Sequence, residues 1–80
     1  SIHTKKITFK ISQINNMKNL FLSGVQFNSK DKNTITAVYE KNSFKFDDIA
    51  NILRKNNIEI LDISTEDGDL EDVFVKLTNN

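Results

Sequence analysis

The amino-acid sequence predicts an α+β sandwich: an antiparallel four-stranded sheet with two helices on one face, plus a C-terminal helix. Three observations lead there. Short stretches of period-two apolar alternation are interspersed with stretches of helical spacing, in the order strand, helix, strand, strand, helix, strand, helix. No proline and only two glycines break the chain. At 80 residues it holds one small domain, able to bury roughly 60% of the surface its unfolded form exposes.

The first strand is Lys6 to Ile11, with Ile7, Phe9 and Ile11 pointing one way and Lys6, Thr8 and Lys10 the other. Ser12 can then cap a helix on which Ile14, Met17, Leu20 and Phe21 share a face, with Gly24 where a left-handed cap would end it. Val25 and Phe27 alternate with Gln26 and Asn28 in a short second strand. Ser29 to Asn33 lacks a tight two-residue turn signature, so a loose hairpin loop is expected. Thr34 to Glu40 reads as a third strand with Ile35, Ala37 and Tyr39 inward.

The second helix has the strongest periodicity in the body of the chain. Phe46, Ile49, Ala50 and Leu53 follow the i, i+3, i+4, i+7 rule, with Asp47 and Asp48 in the first turn and Arg54 and Lys55 in the last. Asn56 and Asn57 end it. Ile58 to Ser64 is a fourth strand of less regular apolar pattern, and Thr65 to Gly68 reads as a turn. The closing helix runs from about residue 69 to 78: Asp69 caps it, Asp72 answers at the third position, Glu71 favours the helix dipole, and Leu70, Val73, Phe74 and Leu77 form one apolar stripe. The first six elements interleave most simply as a ferredoxin-like βαββαβ sheet. No composition break divides residues 1–80, which therefore form a single domain with a terminal extra helix.

Composition excludes several chemistries. Without cysteine there is no disulfide framework and no thiolate metal site, and His3 alone cannot build a histidine metal site. No apolar run reaches the ~20 residues that span a bilayer, and no signal-peptide pattern opens the chain. Formal charge is balanced, yet lysines crowd the front half and acids the back; the simplest reading is that the halves interleave and neutralise each other. The acids near Gly68 do not fit a calcium loop, because counting back six positions puts Ile63 at the first ligand. No nucleophile elbow, serine–histidine pair or paired carboxylates outside helix starts can be found, so no catalyst is expected. On this facing the open sheet surface carries Lys6, Thr8, Lys10, Gln26, Asn28, Thr34, Thr36 and Val38. Phe9, Phe27 and Tyr39 turn inward, and no nucleic-acid partner is expected.

One phrase carries more identity than the rest. Leu70-Glu71-Asp72-Val73-Phe74-x-x-Leu77-Thr78 resembles the closing words of many bacterial ABC-transporter ATP-binding subunits of the drug- and antibiotic-export type. Gly24 and Ile49-x-x-Ile52-Leu53 fit the same C-terminal extension more loosely, while Asp69 stands where that family often has serine. Leu22-Ser23-Gly24-Val25-Gln26 looks like the LSGGQ signature of those ATPases, but with a single glycine and no phosphate loop it reads as coincidence.

The resemblance implies a non-catalytic accessory domain, part of a longer ATPase chain, that supports assembly or regulation of transmembrane export on the cytoplasmic side of the membrane. ATP and magnesium would belong only to the upstream domain. The implied partners are that nucleotide-binding domain and a membrane subunit, with pairing to a second copy left open and no direct insertion into the bilayer. Leu70, Glu71, Asp72, Phe74 and Lys76 would form the interaction surface. Two other readings remain: a ferredoxin-like domain sensing a small ligand, and an RNA-binding module.

Overall fold

The computed structural model describes residues 3–13 and 17–69. Its elements are strand β1 (His3–Ile11), a single 3-10 turn (Met17–Asn19), β2 (Val25–Asp31), β3 (Thr34–Glu40), helix α1 (Phe46–Lys55) and β4 (Ile60–Asp69). The strands form one sheet in the order β2-β3-β1-β4, and every neighbouring pair is antiparallel. The fold is therefore mostly β with one short helix among the described residues. It is not the two-helix ferredoxin-like sandwich that the sequence suggests.

The difference lies between β1 and β2. A helix from Ser12 would need that residue to leave the sheet and cap. Instead the Ser12 amide donates to the Glu59 carbonyl at 3.2 Å, and the Asn33 side-chain amide donates to the carbonyls of Ile11 (3.2 Å) and Ser12 (2.6 Å). These bonds hold the chain extended past the end of β1. Asn15, Asn16 and Asn19 also oppose a helix, since asparagine side chains compete for the backbone. What forms is a short turn closed by the Leu20 amide on the Met17 carbonyl. Leu20 is buried and Leu22 partly so, whereas Phe21 between them is 75% exposed. Burial on this segment thus alternates, as in extended chain. Gly24 does take positive φ (+91°), but in a turn where the Val25 amide bonds the Leu22 carbonyl.

The β2–β3 connection is tighter than expected. Only Lys32 and Asn33 separate the strands, and the Asp31 carboxylate accepts the Asn33 amide at 2.8 Å, closing the turn from its own side chain. Neither turn residue has positive φ. A register shift between Ser29 and Asp31 accompanies the turn, and such a bulge adds the twist that an unprimed turn does not supply.

Helix α1 forms over the residues its periodicity marks, burying Ile49, Ala50 and Leu53. At its start the Lys45 amide donates to the Asp48 carboxylate at 2.9 Å, which covers one of the free amides of a helix beginning. Its end is a full left-handed cap. Asn57 has φ +60°, its amide bonds the Arg54 carbonyl, and the Ile58 amide bonds the Leu53 carbonyl. Buried Ile58 and Leu53 supply the apolar contact that accompanies this motif. The Asn56 side chain donates to the Ile52 and Asn19 carbonyls, tying the crossover to the helix.

The core is a single cluster: Ile7, Phe9 and Ile11 of β1, Ile35, Ala37 and Tyr39 of β3, Ile49, Ala50 and Leu53 of α1, with Leu20 and Ile58. Phe9 packs on Phe46 with ring centroids 6.1 Å apart, and Tyr39 meets Phe44 edge-on at 5.9 Å. Strand β4 is longer than the sequence suggests. Thr65 to Gly68, expected to turn, pair with Ile7, Lys6, Lys5 and Thr4. Asp69 is the last residue of the strand. The closing helix itself, residues 70 to 78, lies outside the described residues.

Candidate interaction surface

The residues expected to make contacts, Leu70, Glu71, Asp72, Phe74 and Lys76, lie outside the described residues. What the described residues present is a sheet with two unlike faces and an uncovered edge.

The face away from α1 is built from the alternate residues of each strand. Register places Gln26, Val38, Lys6 and Glu66 in one row, and Asn28, Thr36, Thr8 and Ser64 in the next. Lys10 lies between Thr34 and Asp62, and its ammonium donates to the Thr34 hydroxyl at 3.3 Å. Val38 is the one apolar member of these rows, and the aromatic rings Phe9 and Tyr39 are buried on the other side. A stacking platform for bases needs exposed rings on this face, and the register provides none.

Charge is arranged across the β1–β4 pair. His3 lies opposite Asp69, Lys5 opposite Asp67, Lys6 opposite Glu66 and Lys10 opposite Asp62. Every basic position of β1 therefore faces an acid on its neighbour, the cross-strand pairing that favours one register over its slips. Lys6 and Glu66 approach to 3.8 Å; Asp67 is bonded at 2.9 Å by Lys41, just beyond β3. Lys41's hydrogen bond holds the Asp67 carboxyl below the usual carboxylate range; burial opposes it, and the charges of Lys41, Lys5 and His3 add to it. Asp31 is also held low, first by the Asn33 amide and then by Thr34, Lys10 and Lys30, burial again opposing. Burial pushes the Tyr39 hydroxyl up, and Asp67 adds to it. Each perturbation has a structural partner that accounts for it, and none pairs an acid with a base in a cleft.

The third feature escapes a reading of the sequence. Ile63 and Thr65 lie beside Phe9 and Ile7 on the α1 side of the sheet. Phe9 and Ile7 are fully buried, yet Ile63 is 39% and Leu61 62% exposed, and Thr65 is exposed too. Among the described residues, cover over this face stops one strand short. The signal was the irregular run Ile60-Leu61-x-Ile63: its extra apolar residue falls at the register shift where Ile11 pairs with Ile60.

Among the described residues no group of histidine, cysteine, aspartate and glutamate could hold a metal ion, no buried side-chain polar atom lacks a partner, and no helix is long and apolar enough to cross a membrane. Sheet and helix together make the described residues a small, mostly β unit. No family model, curated protein or solved structure matches the chain.

Proposed function

We propose that this chain is a non-catalytic accessory domain of an ABC-type ATP-binding protein, acting in the assembly or regulation of an ATPase that drives export. One observation carries the reading: the phrase Leu70-Glu71-Asp72-Val73-Phe74-x-x-Leu77-Thr78, in which seven specified positions recur together with an apolar stripe. Ile49-x-x-Ile52-Leu53 keeps its weaker support, since it lies on α1. Gly24 no longer adds any, because among the described residues a 3-10 turn, not an α-helix, precedes it. ATP and magnesium would be held by an upstream nucleotide-binding domain. The partners are that domain and a membrane subunit at the cytoplasmic face of the membrane, with contacts through Leu70, Glu71, Asp72, Phe74 and Lys76. Small-ligand sensing on a two-helix ferredoxin-like scaffold loses its premise with the fold, and RNA binding loses its aromatic platform.

The test is direct. The reading frame that encodes this chain should carry, upstream of Ser1, a Walker lysine loop followed by a true LSGGQ segment. The 80-residue chain alone should show no ATP affinity by calorimetry. An upstream frame without those two motifs, or micromolar nucleotide binding by the isolated chain, overturns the proposal.

A further inference from the structure

We propose that the Asp67–Gly68 peptide bond is a modification site, at which Asp67 converts to isoaspartate when the end of β4 parts from β1 and is held unreactive while the two strands stay paired. The chemistry needs no second molecule but water. The Gly68 nitrogen attacks the side-chain carboxyl carbon of Asp67. A nitrogen–carbon bond forms, and the carboxyl hydroxyl leaves with the amide proton as water. Water then opens the five-membered imide at either carbonyl, restoring aspartate or routing the backbone through the side-chain carboxyl. Nothing is oxidised or reduced, and the water lost in closure is regained in opening. Of the aspartates in the chain, only Asp67 precedes a glycine, and a residue without a side chain leaves the attacking nitrogen least hindered.

Three observations set its reactivity. Strand pairing comes first: Asp67 lies opposite Lys5 and Gly68 opposite Thr4 in the β1–β4 ladder. A strand residue has ψ of about +135°, which carries the next nitrogen away from its own Cβ. The ring closes only when that nitrogen swings round to the Cβ side, so β4 must leave the ladder first. Lys41 comes second. Its ammonium donates to Asp67 Oδ2 at 2.9 Å and keeps the carboxyl ionised, and an ionised carboxylate has no hydroxyl to lose. The third is position. Asp67 stands two residues short of Asp69, where β4 ends, and its side chain is 57% exposed; strand ends open at a lower free energy than the whole domain. Packing also keeps the reactive bond in place. A Cβ at position 68 would stand 3.1 Å from the hydroxyl of buried Thr4, so a side chain that would shield the nitrogen has little room. Conversion then has a fixed structural result. Isoaspartate puts one more carbon into the backbone, and the residues beyond it lose the two-residue alternation that the register requires. The opened end cannot re-form its ladder. The site does not depend on the transporter reading and stands for any function of the chain.

A reaction confined to a transiently opened state runs at the unfolded rate multiplied by the fraction of time spent open. The 80-residue chain is therefore incubated in warm neutral buffer with and without guanidinium chloride. Isoaspartate at residue 67 is followed by peptide mapping with fragmentation mass spectrometry. Isomerisation leaves the peptide mass unchanged, which separates it from asparagine deamidation. Conversion of Asp67 should be about tenfold or more faster in denaturant than in buffer, and Gly68→Ala should suppress most of the conversion in denaturant. Lys41→Met removes the ammonium from Asp67, and Lys6→Glu sets like charges opposite each other at Glu66. In each variant that circular dichroism shows to be folded, conversion should rise in step with the hydrogen exchange of residues 64–68. Equal rates in buffer and denaturant overturn the proposal, as does an absence of isoaspartate at residue 67 in denaturant. Faster exchange of residues 64–68 without faster conversion also overturns it. Should a variant fail to fold, the comparison of buffer with denaturant in the unaltered chain decides.

Discussion

At the scale of single residues, this small core leaves little redundancy. Phe9 is fully buried between both sheet neighbours and Phe46. Truncation to alanine there should cost about 3–5 kcal/mol, the usual range for a buried phenylalanine. A domain of this size has a total stability of only about 4–12 kcal/mol. Phe9→Ala should therefore lower the urea midpoint steeply or leave the chain unfolded, as circular dichroism would show; a shift worth less than about 1 kcal/mol would mean the Phe9 site is not core. The two glycines separate by mechanism. Gly24 has φ +91°, and a Cβ there would stand 3.2 Å from the Phe44 ring, so Gly24→Ala meets both backbone strain and a side-chain clash. The backbone component alone is roughly 1–2 kcal/mol. At Gly68 φ is ordinary and the nearest atom is the Thr4 hydroxyl, 3.1 Å from the added carbon. Thermal melts of the two variants should rank Gly24→Ala as clearly the more damaging, and the reverse ranking would remove the turn geometry from the account.

At the scale of elements, legibility followed how local the determining forces were. Helix α1 was readable from Phe46, Ile49, Ala50 and Leu53 because its stripe, its first-turn acids and its Asn56–Asn57 ending all act within the segment itself. The strands were readable from alternation alone, Ile7-Phe9-Ile11 against Ile35-Ala37-Tyr39. The stretch after Ser12 carried a helical pattern too, but distant groups decide its conformation: Asn33 and Glu59 bond Ile11 and Ser12 from across the sheet. No local pattern announces such bonds. Gly68 misled for a related reason. Read as a turn residue, it serves instead to let Thr4 approach a continuing strand. That continuation is partly electrostatic, and pH should reveal it. Asp67 is held below its unfolded value by Lys41, so the folded state binds its proton less readily than the unfolded state does. The stability it contributes is then full above the ordinary carboxylate range, near pH 4, and is lost as pH falls through the lower folded value. Asp67→Asn should be less stable than the parent near neutral pH, and the two urea midpoints should converge as pH falls below the ordinary carboxylate range. A constant offset across that window would show that Asp67 acts through shape and not charge.

At the scale of the whole molecule, the halves of the sequence neutralise each other strand against strand. The chain has 11 basic and 11 acidic residues, basic ones concentrated early and acidic ones late. That asymmetry could have produced one cationic face and one anionic face. The β1–β4 register prevents it by placing an acid opposite each of His3, Lys5, Lys6 and Lys10. The cancellation was legible in the sequence as soon as the halves were read as interleaved; the apolar margin at Ile63 and Leu61 was not, because it depends on where α1 stops covering the sheet. Sequence-independent nucleic-acid binding draws on lysines and arginines that neutralise several phosphates at once, and it weakens steeply with salt. On the polar face of this sheet Lys6 is engaged by Glu66, and Lys10 stands between Thr34 and Asp62. A phosphate backbone laid across it would meet carboxylates as often as ammonium groups, and its bases would find no exposed ring. Fluorescence anisotropy with a labelled single-stranded RNA should therefore show no saturable binding at micromolar protein in physiological salt. The charge-reversing pair Asp62→Lys with Glu66→Lys should create weak binding that disappears as salt is raised. Micromolar affinity in the unaltered chain would mean that the cancellation written into the β1–β4 register does not govern its surface.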